Sequence, residues 1–367
     1  MVEQQPFSKV RKEDGCTTMK EWIEEYKAEK LDETAMELCR KKWDGIAKPL
    51  HSLGMLEDYL VRIAGIKGSA RISLDKKGLI VMCADNGVVE EGVTQTGQEV
   101  TALVTENFLS GQATAAVLCK KAGADIFPVD IGVAADTCAL NRKVAYGTKN
   151  LAKEWAMTRA QALQALKTGC DLVGDLAAKG YQILATGEMG IGNTTTSSAL
   201  ACAFLHEEPE KMTGRGAGLT SAGLEKKIQV IKKALAMHLP GCRDAVDVLA
   251  ALGGLDIAGL AGVFLGGAKY RVPIVIDGFI SSVAALTAAQ ICPQCKDFMI
   301  ASHVSKEPAA QLVLDALSLE AALHCNMCLG EGTGAVTLFP VLDMACEVYQ
   351  KMSTFDDISM EAYQPLT

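Results

Sequence analysis

The sequence predicts an α/β fold in which a parallel sheet is flanked by helices. Between residues 71 and 340, short aliphatic runs alternate with Ala-rich helical stretches. This alternation is typical of a parallel sheet with helices on both faces. Of the 367 residues, 49% are hydrophobic but only 5% are aromatic, and 34 are glycine. Small aliphatic side chains of this kind allow helices to pack closely on a buried sheet.

Each candidate strand runs, at its carboxyl end, into small or polar residues. Asp85, Asp277 and Ser302 follow three of them, and Thr186-Gly187-Glu188 follows another. In an open parallel sheet, ligands bind in the crevice outside the carboxyl ends of the strands. The five predicted strands cover residues 78–84, 124–129, 181–185, 272–276 and 298–301. We therefore expect one shared site at this edge of the sheet.

Both ends of the chain are predicted to be helical. Residues 18–43 and 53–66 carry apolar stripes that predict two helices, with a break at residues 48–54 between them. Residues 341–352 predict one more helix before a polar tail. No repeat or Pro-rich linker divides the middle of the chain. The predicted organisation is an N-terminal helical segment at 1–70, an α/β domain at 71–340 and a C-terminal segment at 341–367.

Charge, hydropathy and cysteine content exclude several classes of protein. Lys and Arg number 36 against 44 Asp and Glu, and the net charge of -8 argues against a nucleic-acid binder. We expect no export signal and no membrane span, because charged or polar residues interrupt every apolar stretch. The 13 cysteines are an odd number in a long chain, which favours a reducing, cytoplasmic location over a disulfide-linked scaffold.

Two Cys-x-x-Cys pairs leave two interpretations open. Cys292 and Cys295 form the first pair, and Cys325 and Cys328 form the second at the end of a helical segment predicted from about Pro308. Four thiolates could bind zinc, but the pairs are far apart in sequence compared with the knuckles of a zinc ribbon. We favour buried or partly buried structural thiols over a metal or redox site.

A glycine-rich segment, residues 187–198, predicts a phosphate site. It lies between a predicted strand and the helix predicted at 199–205, and it contains Gly190, Gly192, Asn193 and Thr194. Glycines let the backbone approach an anion, and the first turn of the next helix offers N–H groups to it. The spacing matches neither the dinucleotide fingerprint nor the P-loop. A tight strand-to-helix connection without a ligand is the alternative.

A second glycine-rich turn contains Gly214, Gly216 and Gly218 and precedes a helix with Lys226 and Lys227. This helix could bring a cation to the same phosphate. A solvent-exposed pair of lysines is the alternative.

Glu331 is the candidate general base. It lies between Gly330 and Gly332 in a loop before a predicted helix, so a ligand can reach its carboxylate, and low solvation can raise its pKa. The alternative is a glutamate that only stabilises a helix N-terminus.

The chain lacks the paired acids that hold a diphosphorylated ribose through magnesium, and His303 is the only histidine at a predicted strand end. Metal-independent chemistry on a monophosphate is therefore favoured.

With these segments assembled, the chain resembles the nicotinate-nucleotide:5,6-dimethylbenzimidazole phosphoribosyltransferase family of cobalamin biosynthesis. The resemblance extends over nearly the whole chain. It rests on motifs at residues 48–57, 83–88, 187–195, 277–279, 302–303 and 329–334. It implies a Rossmann-like parallel sheet, a small helical domain made from both termini, and a homodimer.

The reaction that the resemblance implies moves 5-phosphoribose from nicotinate mononucleotide to a ring nitrogen of a lower-ligand base such as 5,6-dimethylbenzimidazole. The products are α-ribazole 5'-phosphate and nicotinate, with inversion at C1', and no cofactor or metal takes part. Glu331 aligns with the catalytic glutamate of the family, and Glu188 with a second carboxylate near the ribose. The remaining substrate-binding residues implied are Gly190, Gly192, Asn193, Thr194, Gly216, Lys227, Asp85, Asp277 and Ser302.

Departures from the family pattern concern the base. The family often has Asp-His-Gly where this chain has Asp85-Asn86-Gly87, and residues 94–104 differ where the family builds its base pocket. Benzimidazole, purine and phenol all remain candidate acceptors. Two alternatives stay open: a subunit of a heterodimer that activates phenol or p-cresol, and a non-catalytic nucleotide-binding partner.

Overall fold

The computed structural model describes residues 22–23 and 26–363. Within this part of the chain, a six-stranded sheet has the order β3-β2-β1-β4-β5-β6, and all its paired strands are parallel. The strands are β1 (Lys77–Ala84), β2 (Ala124–Gly132), β3 (Leu140–Asn141), β4 (Ile183–Met189), β5 (Ile274–Ile276) and β6 (Met299–Ala301). The predicted parallel sheet is confirmed, and only the two-residue β3 was not predicted.

The strand order places the switch point of the sheet between β1 and β4. From β1 the chain moves outward to β2 and β3 and then returns to the other side of β1 with β4. Helices that leave neighbouring strands in opposite directions open a crevice at such a point. Cys83 pairs with Met189 at the carboxyl ends of the two strands, so this crevice lies beside Asp85 and Gly190.

The prediction for β4 was wrong at both ends. The strand begins at Ile183 and continues through Thr186, Gly187 and Glu188 to Met189. These residues stay in the sheet because they pair with Ile80, Val81 and Met82 of the central strand. Pairing with the buried central strand thus outweighs the low strand propensity of these residues. Glu188 therefore belongs to a strand instead of a loop.

Helices cover both faces of the sheet, as predicted. The α-helices that lie wholly within the described residues, in chain order, are α1 (Glu33–Gly45), α2 (Met55–Lys67), α3 (Glu99–Ser110), α4 (Thr114–Ala122), α5 (Arg159–Ala178), α6 (Asn193–Leu205), α7 (Pro209–Met212), α8 (Ser221–His238), α9 (Ala245–Leu252), α10 (Leu255–Tyr270), α11 (Phe279–Ile291), α12 (Ala310–Leu317) and α13 (Thr333–Lys351). Alternate residues of β1 enter two separate cores. Ile80 and Met82 pack in the core with α5 and α10, whereas Leu79 and Val81 pack with α2, α4 and α13.

The glycine content permits unusually close helix packing. A Cβ atom at Gly169 of α5 would lie 1.9 Å from the carbonyl oxygen of Gly259 in α10, and one at Gly262 would lie 2.0 Å from that of Leu166. The two backbones therefore touch where they cross. Helix α10 is buried from Leu255 to Ala268. Its contact with α5 therefore fixes its N-terminus behind the crevice.

Two terminal helix predictions need correction. Of the helix predicted at 18–43, residues 26–32 are not helical, and α1 begins only after Asp32, whose side chain accepts a hydrogen bond from the backbone N–H of Ala35. Residues 18–21 and 24–25 lie outside the described residues. The helix predicted at 53–66 is confirmed as α2. The last helix, α13, begins at Thr333 instead of residue 341 and includes Pro340.

Helices α1 and α13, near the two ends of the described chain, pack against each other. The Trp43 ring lies 5.0 Å from the Tyr349 ring between centroids, and the Tyr349 hydroxyl donates to the carbonyl of Ala70 at 2.9 Å. The predicted boundary at residue 340 falls inside α13, and a separate small domain stays a prediction. Within the described chain, none of the helices combines the length and apolar character needed to cross a bilayer.

Candidate active site

A cleft opens at the carboxyl ends of β4, β5 and β6, at the edge of the sheet where the strand pattern predicts it, whereas the residues directly after β1 and β2 do not line it. Its walls come from residues 93–96, 188–194, 215–219, 277–281 and 328–331, together with His303, Ser305 and Glu307. Eight of the predicted site residues line it: Glu331, Glu188, Gly190, Gly192, Asn193, Thr194, Gly216 and Asp277. The side chains of Lys227, Asp85 and Ser302 lie behind the wall.

The predicted phosphate cradle is the turn from β4 into α6. The helix begins at Asn193, six residues earlier than predicted, directly after Gly192 at φ 95°. A Cβ atom at Gly190 would lie 2.4 Å from the Ala84 carbonyl oxygen, so only glycine allows this close approach of β1. The N-terminus of α6, with Asn193 and Thr194 on the cleft wall, therefore offers a site for an anion.

Lys227 supports the cradle from behind. Its side chain has no solvent exposure, and its Nζ donates to Thr194 Oγ1 at 2.8 Å and to the Gly214 carbonyl at 3.1 Å. Burial lowers the pKa of this amine to about 8, and nearby Glu307 opposes the shift. The two glycine-rich turns are thus joined through one cation. The alternative of a solvent-exposed lysine holds only for Lys226.

The turn that carries Glu331 has an uncommon backbone. Gly330, Glu331 and Gly332 all have left-handed φ angles, of 87°, 62° and 86°, a region that residues other than glycine seldom adopt. A Cβ atom at Gly187 would lie 2.6 Å from the Glu331 carbonyl oxygen. The turn therefore packs directly on the backbone of β4, which accounts for the glycine in the strand.

Asp277 fixes this turn from the end of β5. Its Oδ1 accepts from the backbone N–H groups of Gly334 at 2.8 Å and Ala335 at 3.1 Å, and its Oδ2 accepts from Gly332 at 3.1 Å. A carboxylate at a helix N-terminus satisfies N–H groups that have no partner within the helix. Although Asp277 lines the cleft, both of its oxygens are used to hold the start of α13.

The electrostatic environment of Glu331 favours proton uptake. Its Oε2 is buried and has no hydrogen-bond partner. Burial raises the pKa of Glu331, Asp277 adds to the increase, and a backbone N–H of Ala115 at the start of α4 opposes it. A carboxylate with a raised pKa in a cleft is suited to accept a proton near neutral pH.

Glu188 and Asp256 form a buried pair of carboxylates beside the cradle. The amide nitrogen of Asn193 donates to Glu188 Oε2 and, at 3.0 Å, to Asp256 Oδ2. Burial and the charge of Asp256 raise the pKa of Glu188 to about 8, and burial raises the pKa of Asp256 to about 7. The Glu331 backbone N–H donates to Glu188 Oε1 at 3.4 Å.

Asp85 and Ser302 bind protein groups instead of facing the cleft. Asp85 accepts from the Ala134 N–H at 2.8 Å, across to the chain that follows β2. The Ser302 hydroxyl donates to the Ile276 carbonyl at 2.6 Å and lies 3.0 Å from Nδ1 of His303. The positions of Asp85 and Ser302 at strand ends predicted where these residues lie in the fold, but not the direction of their side chains.

Sequence reasoning left several site residues without a role. His303 was noted at a strand end, and its ring lines the cleft, with its pKa lowered by burial against the opposing charge of Asp277. Arg215 also lines the cleft, and its place between Gly214 and Gly216 was a usable signal. Asp256 had none, because a single acidic residue at the start of an apolar helix looks like an ordinary N-terminal charge.

The two cysteine pairs differ. Cys292 and Cys295 are buried, as expected for structural thiols, but Cys325 and Cys328 are exposed, and Cys328 lines the cleft. The helix expected to end at the second pair, α12, stops at Leu317. Among the described residues, no group of three His, Cys, Asp or Glu side chains is arranged to hold a metal ion.

Comparison with known proteins gives consistent matches. A family model described as phosphoribosyltransferase matches residues 28–359. The nicotinate-nucleotide–dimethylbenzimidazole phosphoribosyltransferase of Acetivibrio thermocellus is 48% identical over 90% of this chain and 95% of that protein. The protein of the same name from Clostridium acetobutylicum is 48% identical over 92% and 96%. A crystal structure of the Thermus thermophilus protein of this name has a TM-score of 0.84 at 37% identity, and covers 90% of this chain and 99% of that one.

Proposed function

The chain belongs to the phosphoribosyltransferase family that includes the nicotinate-nucleotide–dimethylbenzimidazole enzymes, and we propose that it transfers 5-phosphoribose from nicotinate mononucleotide to a benzimidazole-type base. The family and fold expected from the motifs are confirmed by these matches. The observation that carries the proposed chemistry is the position of Glu331 in the same cleft as the glycine-rich cradle, with Glu188 between them.

The cradle is the proposed phosphate end of the site. The N-terminus of α6, Thr194 and the turn at Gly216 surround one part of the cleft, and Lys227 lies beneath them. Together they provide backbone N–H groups, a helix dipole and one buried positive charge, which is the chemistry that a monophosphate requires. Arg215 lines the same turn and adds a second cation.

The leaving group explains why the transfer needs no metal ion. In nicotinate mononucleotide the ring nitrogen is already cationic, so nicotinate leaves C1' with the electron pair of the broken bond and without protonation. The attacking base forms a bond from one ring nitrogen and loses the N–H proton from the other. Glu331 accepts this proton in the proposed mechanism. Attack from the face opposite nicotinate inverts C1' and gives the α product, and alignment of the two rings contributes much of the rate.

Glu188 is proposed to stabilise positive charge at C1'. It lies between the cradle and Glu331, where the ribose of a bound nucleotide has to lie. A carboxylate buried at that point interacts strongly with charge that develops during bond cleavage. Residues 93–96 line the cleft and are proposed to contact the base. The acceptor is therefore proposed to be 5,6-dimethylbenzimidazole or a related flat aromatic base.

We propose a homodimer as the assembly, and this proposal rests on the family resemblance. A heterodimer with a similar chain is the alternative. Sedimentation velocity of the purified chain distinguishes the two, because a chain that needs a different partner does not form a stable dimer alone.

An activity assay tests the proposed function. The purified chain is mixed with nicotinate mononucleotide and either 5,6-dimethylbenzimidazole, adenine, phenol or p-cresol, and the release of nicotinate is followed. We expect release with the benzimidazole and a product with an α-glycosidic bond. Release only with phenols would support the phenol-activating alternative, and no release with any base would favour a nucleotide-binding partner.

A further inference from the structure

Asp256 is buried behind the cleft and is connected to Glu188 by hydrogen bonds through one intervening side chain. It has no solvent exposure and lies in the first turn of α10. Asn193 links the two carboxylates, because its amide nitrogen donates to Glu188 Oε2 and to Asp256 Oδ2. Asp256 does not line the cleft, so it does not contact a nucleotide bound there, and its hydrogen-bonded connection to the cleft runs through Asn193 to Glu188.

The groups that surround this pair are acidic or neutral. Cys83 of β1 faces it, as do Asp85, directly after β1, and Asp277, directly after β5. The Asn86 side chain is fully buried without a hydrogen-bond partner. Asp256 Oδ1 is also buried and unpartnered. Two ionised carboxylates in such surroundings are strongly destabilised, and one retained proton removes most of that cost.

The proposed substrate brings the missing positive charge. A phosphate in the cradle and an attacking base within reach of Glu331 place C1' near Glu188, which lies between the cradle and Glu331. The ring nitrogen bonded to C1' in nicotinate mononucleotide is cationic. An opposite charge within a few ångström of a carboxylate favours its ionised form.

We propose that Asp256 is a positioning residue that holds Glu188 through Asn193, that the two carboxylates share a proton in the free enzyme, and that this proton is released when nicotinate mononucleotide binds. The inference rests on the proposed function, because it requires a cationic ring at this point. On release, the O–H bond of the protonated carboxyl breaks, the electron pair stays on the carboxylate, and the proton leaves for solvent through the open cleft. The ionised Glu188 then faces C1'.

Proton release is measured by calorimetry of nicotinate mononucleotide binding at pH 8 in buffers with different enthalpies of ionisation. Near this pH the phosphate is fully ionised, since its second pKa is about 6. We expect nicotinate mononucleotide to release about half to one proton more per bound ligand than ribose 5-phosphate does, because the pair is still partly protonated at this pH. Any proton that Lys227 takes up as the phosphate binds is common to both ligands. Ribose 5-phosphate is the matched ligand, because it has the phosphate without the cationic ring, and it should release far less.

Asp256→Asn tests the role of Asp256, because the amide keeps the shape and an acceptor for Asn193 but removes the charge. We expect proton release to fall by at least half. The rise of kcat/KM with pH should move about one pH unit lower, whereas KM for the nucleotide changes little. Asp247→Asn is the control, because Asp247 is equally buried in the first turn of α9 but its partners are Arg159 and Arg243.

The possible outcomes distinguish a failure of this inference from a failure of the proposed function. If nicotinate mononucleotide binds with no more proton release than ribose 5-phosphate, the inference is wrong and the proposed function stands. If the Asp256→Asn protein releases protons as the wild type does, Asp256 has no part in the proton sharing. Failure of the wild-type protein to bind the nucleotide at all overturns the proposed function and this inference with it. The wild-type calorimetry remains decisive if the variant does not fold.

Discussion

Lys227 shows most clearly what a local pattern cannot reveal about a single residue. It follows Lys226 on a helix rich in charged residues, yet one side chain is exposed and the other is completely buried. The difference arises because Thr194 and the Gly214 carbonyl lie over that position of the helix. Those partners come from distant parts of the chain, so the fold, and not the adjacent residues, determines which lysine supports the cradle.

Lys227→Met should weaken the binding of ribose 5-phosphate by about 10- to 100-fold, as expected for the loss of a buried positive charge near an anion. The wild-type affinity should also fall as the pH rises above about 8, where the lysine loses its proton, and the variant should lack this pH dependence. Calorimetry at pH 7 and pH 9.5 measures both effects. Lys226→Met is the control and should bind like the wild type. Equal affinity for all three proteins would exclude Lys227 from phosphate binding.

Glu331 and Asp256 mark the limits of prediction at the residue scale. Glu331 could be predicted because flanking glycines leave a carboxylate accessible, and that requirement is visible in the local sequence. Its left-handed φ and its contact with Gly187 could not, since they depend on how β4 packs against the turn. Asp256 gives no local signal at all. Its importance comes from Asn193, which lies 63 positions away in the chain.

The junction of β5 and α13 positions the site at the scale of secondary structure. Asp277 accepts three backbone hydrogen bonds from the first turn of α13 and its cap. The sequence predicted the strand end but began the helix eight residues too late. Residues 333–340 contain few helix-favouring side chains, and Pro340 looks like a break. The carboxylate of Asp277 compensates by holding the N-terminus, so the helix can begin directly after Glu331.

Asp277→Asn should lower kcat more than it raises KM, because the amide cannot accept from all three N–H groups and the Glu331 turn loses its fixed position. We expect a loss of roughly 1–3 kcal/mol in the free energy of unfolding. Steady-state kinetics and urea unfolding measure the two effects. Asp32→Asn is the matched control, because Asp32 caps α1 through one N–H only and asparagine serves equally well there. Unchanged kcat in the Asp277 variant would show that this anchor does not position Glu331.

For the whole molecule, buried carboxylates should make stability depend on pH. The folded-state pKa values of Glu188 and Asp256 lie above their ordinary values, at about 8 and about 7. Between the ordinary and the raised pKa the folded protein binds more protons than the unfolded chain, so this contribution to stability falls as the pH rises from about 4 to 8. Asp247 acts in the opposite direction, because Arg243 and Arg159 lower its pKa. The protein should therefore be most stable at mildly acidic pH.

Asp256→Asn should remove part of this pH dependence. We expect the variant to gain stability relative to the wild type between pH 5 and pH 8.5, by on the order of 2 kcal/mol. Urea unfolding at both pH values gives the comparison. A difference between the two proteins that stays constant over this range would mean that the Asp256 carboxyl titrates in the folded state as it does in the unfolded chain.

The overall architecture could be predicted from the sequence more completely than the directions of individual side chains. Alternating aliphatic and Ala-rich segments predicted the parallel sheet, and its topology then placed five strand ends at one edge. The site could be located from that edge and from the glycine-rich turns. The directions of Asp85, Ser302 and Lys227 could not be predicted, because they are set by hydrogen bonds to Ala134, Ile276 and Thr194 across the fold.

The central claim is that Glu331 accepts the proton of the attacking base in a cleft that binds nicotinate mononucleotide. Its most direct test is Glu331→Gln, with nucleotide binding and nicotinate release measured on the same protein. An amide of equal size cannot accept the proton, so we expect binding within a few fold of wild type and turnover reduced by about a thousandfold. Glu320→Gln removes an exposed carboxylate outside this cleft and should retain most of the turnover. Near wild-type turnover in the Glu331→Gln protein would contradict the account.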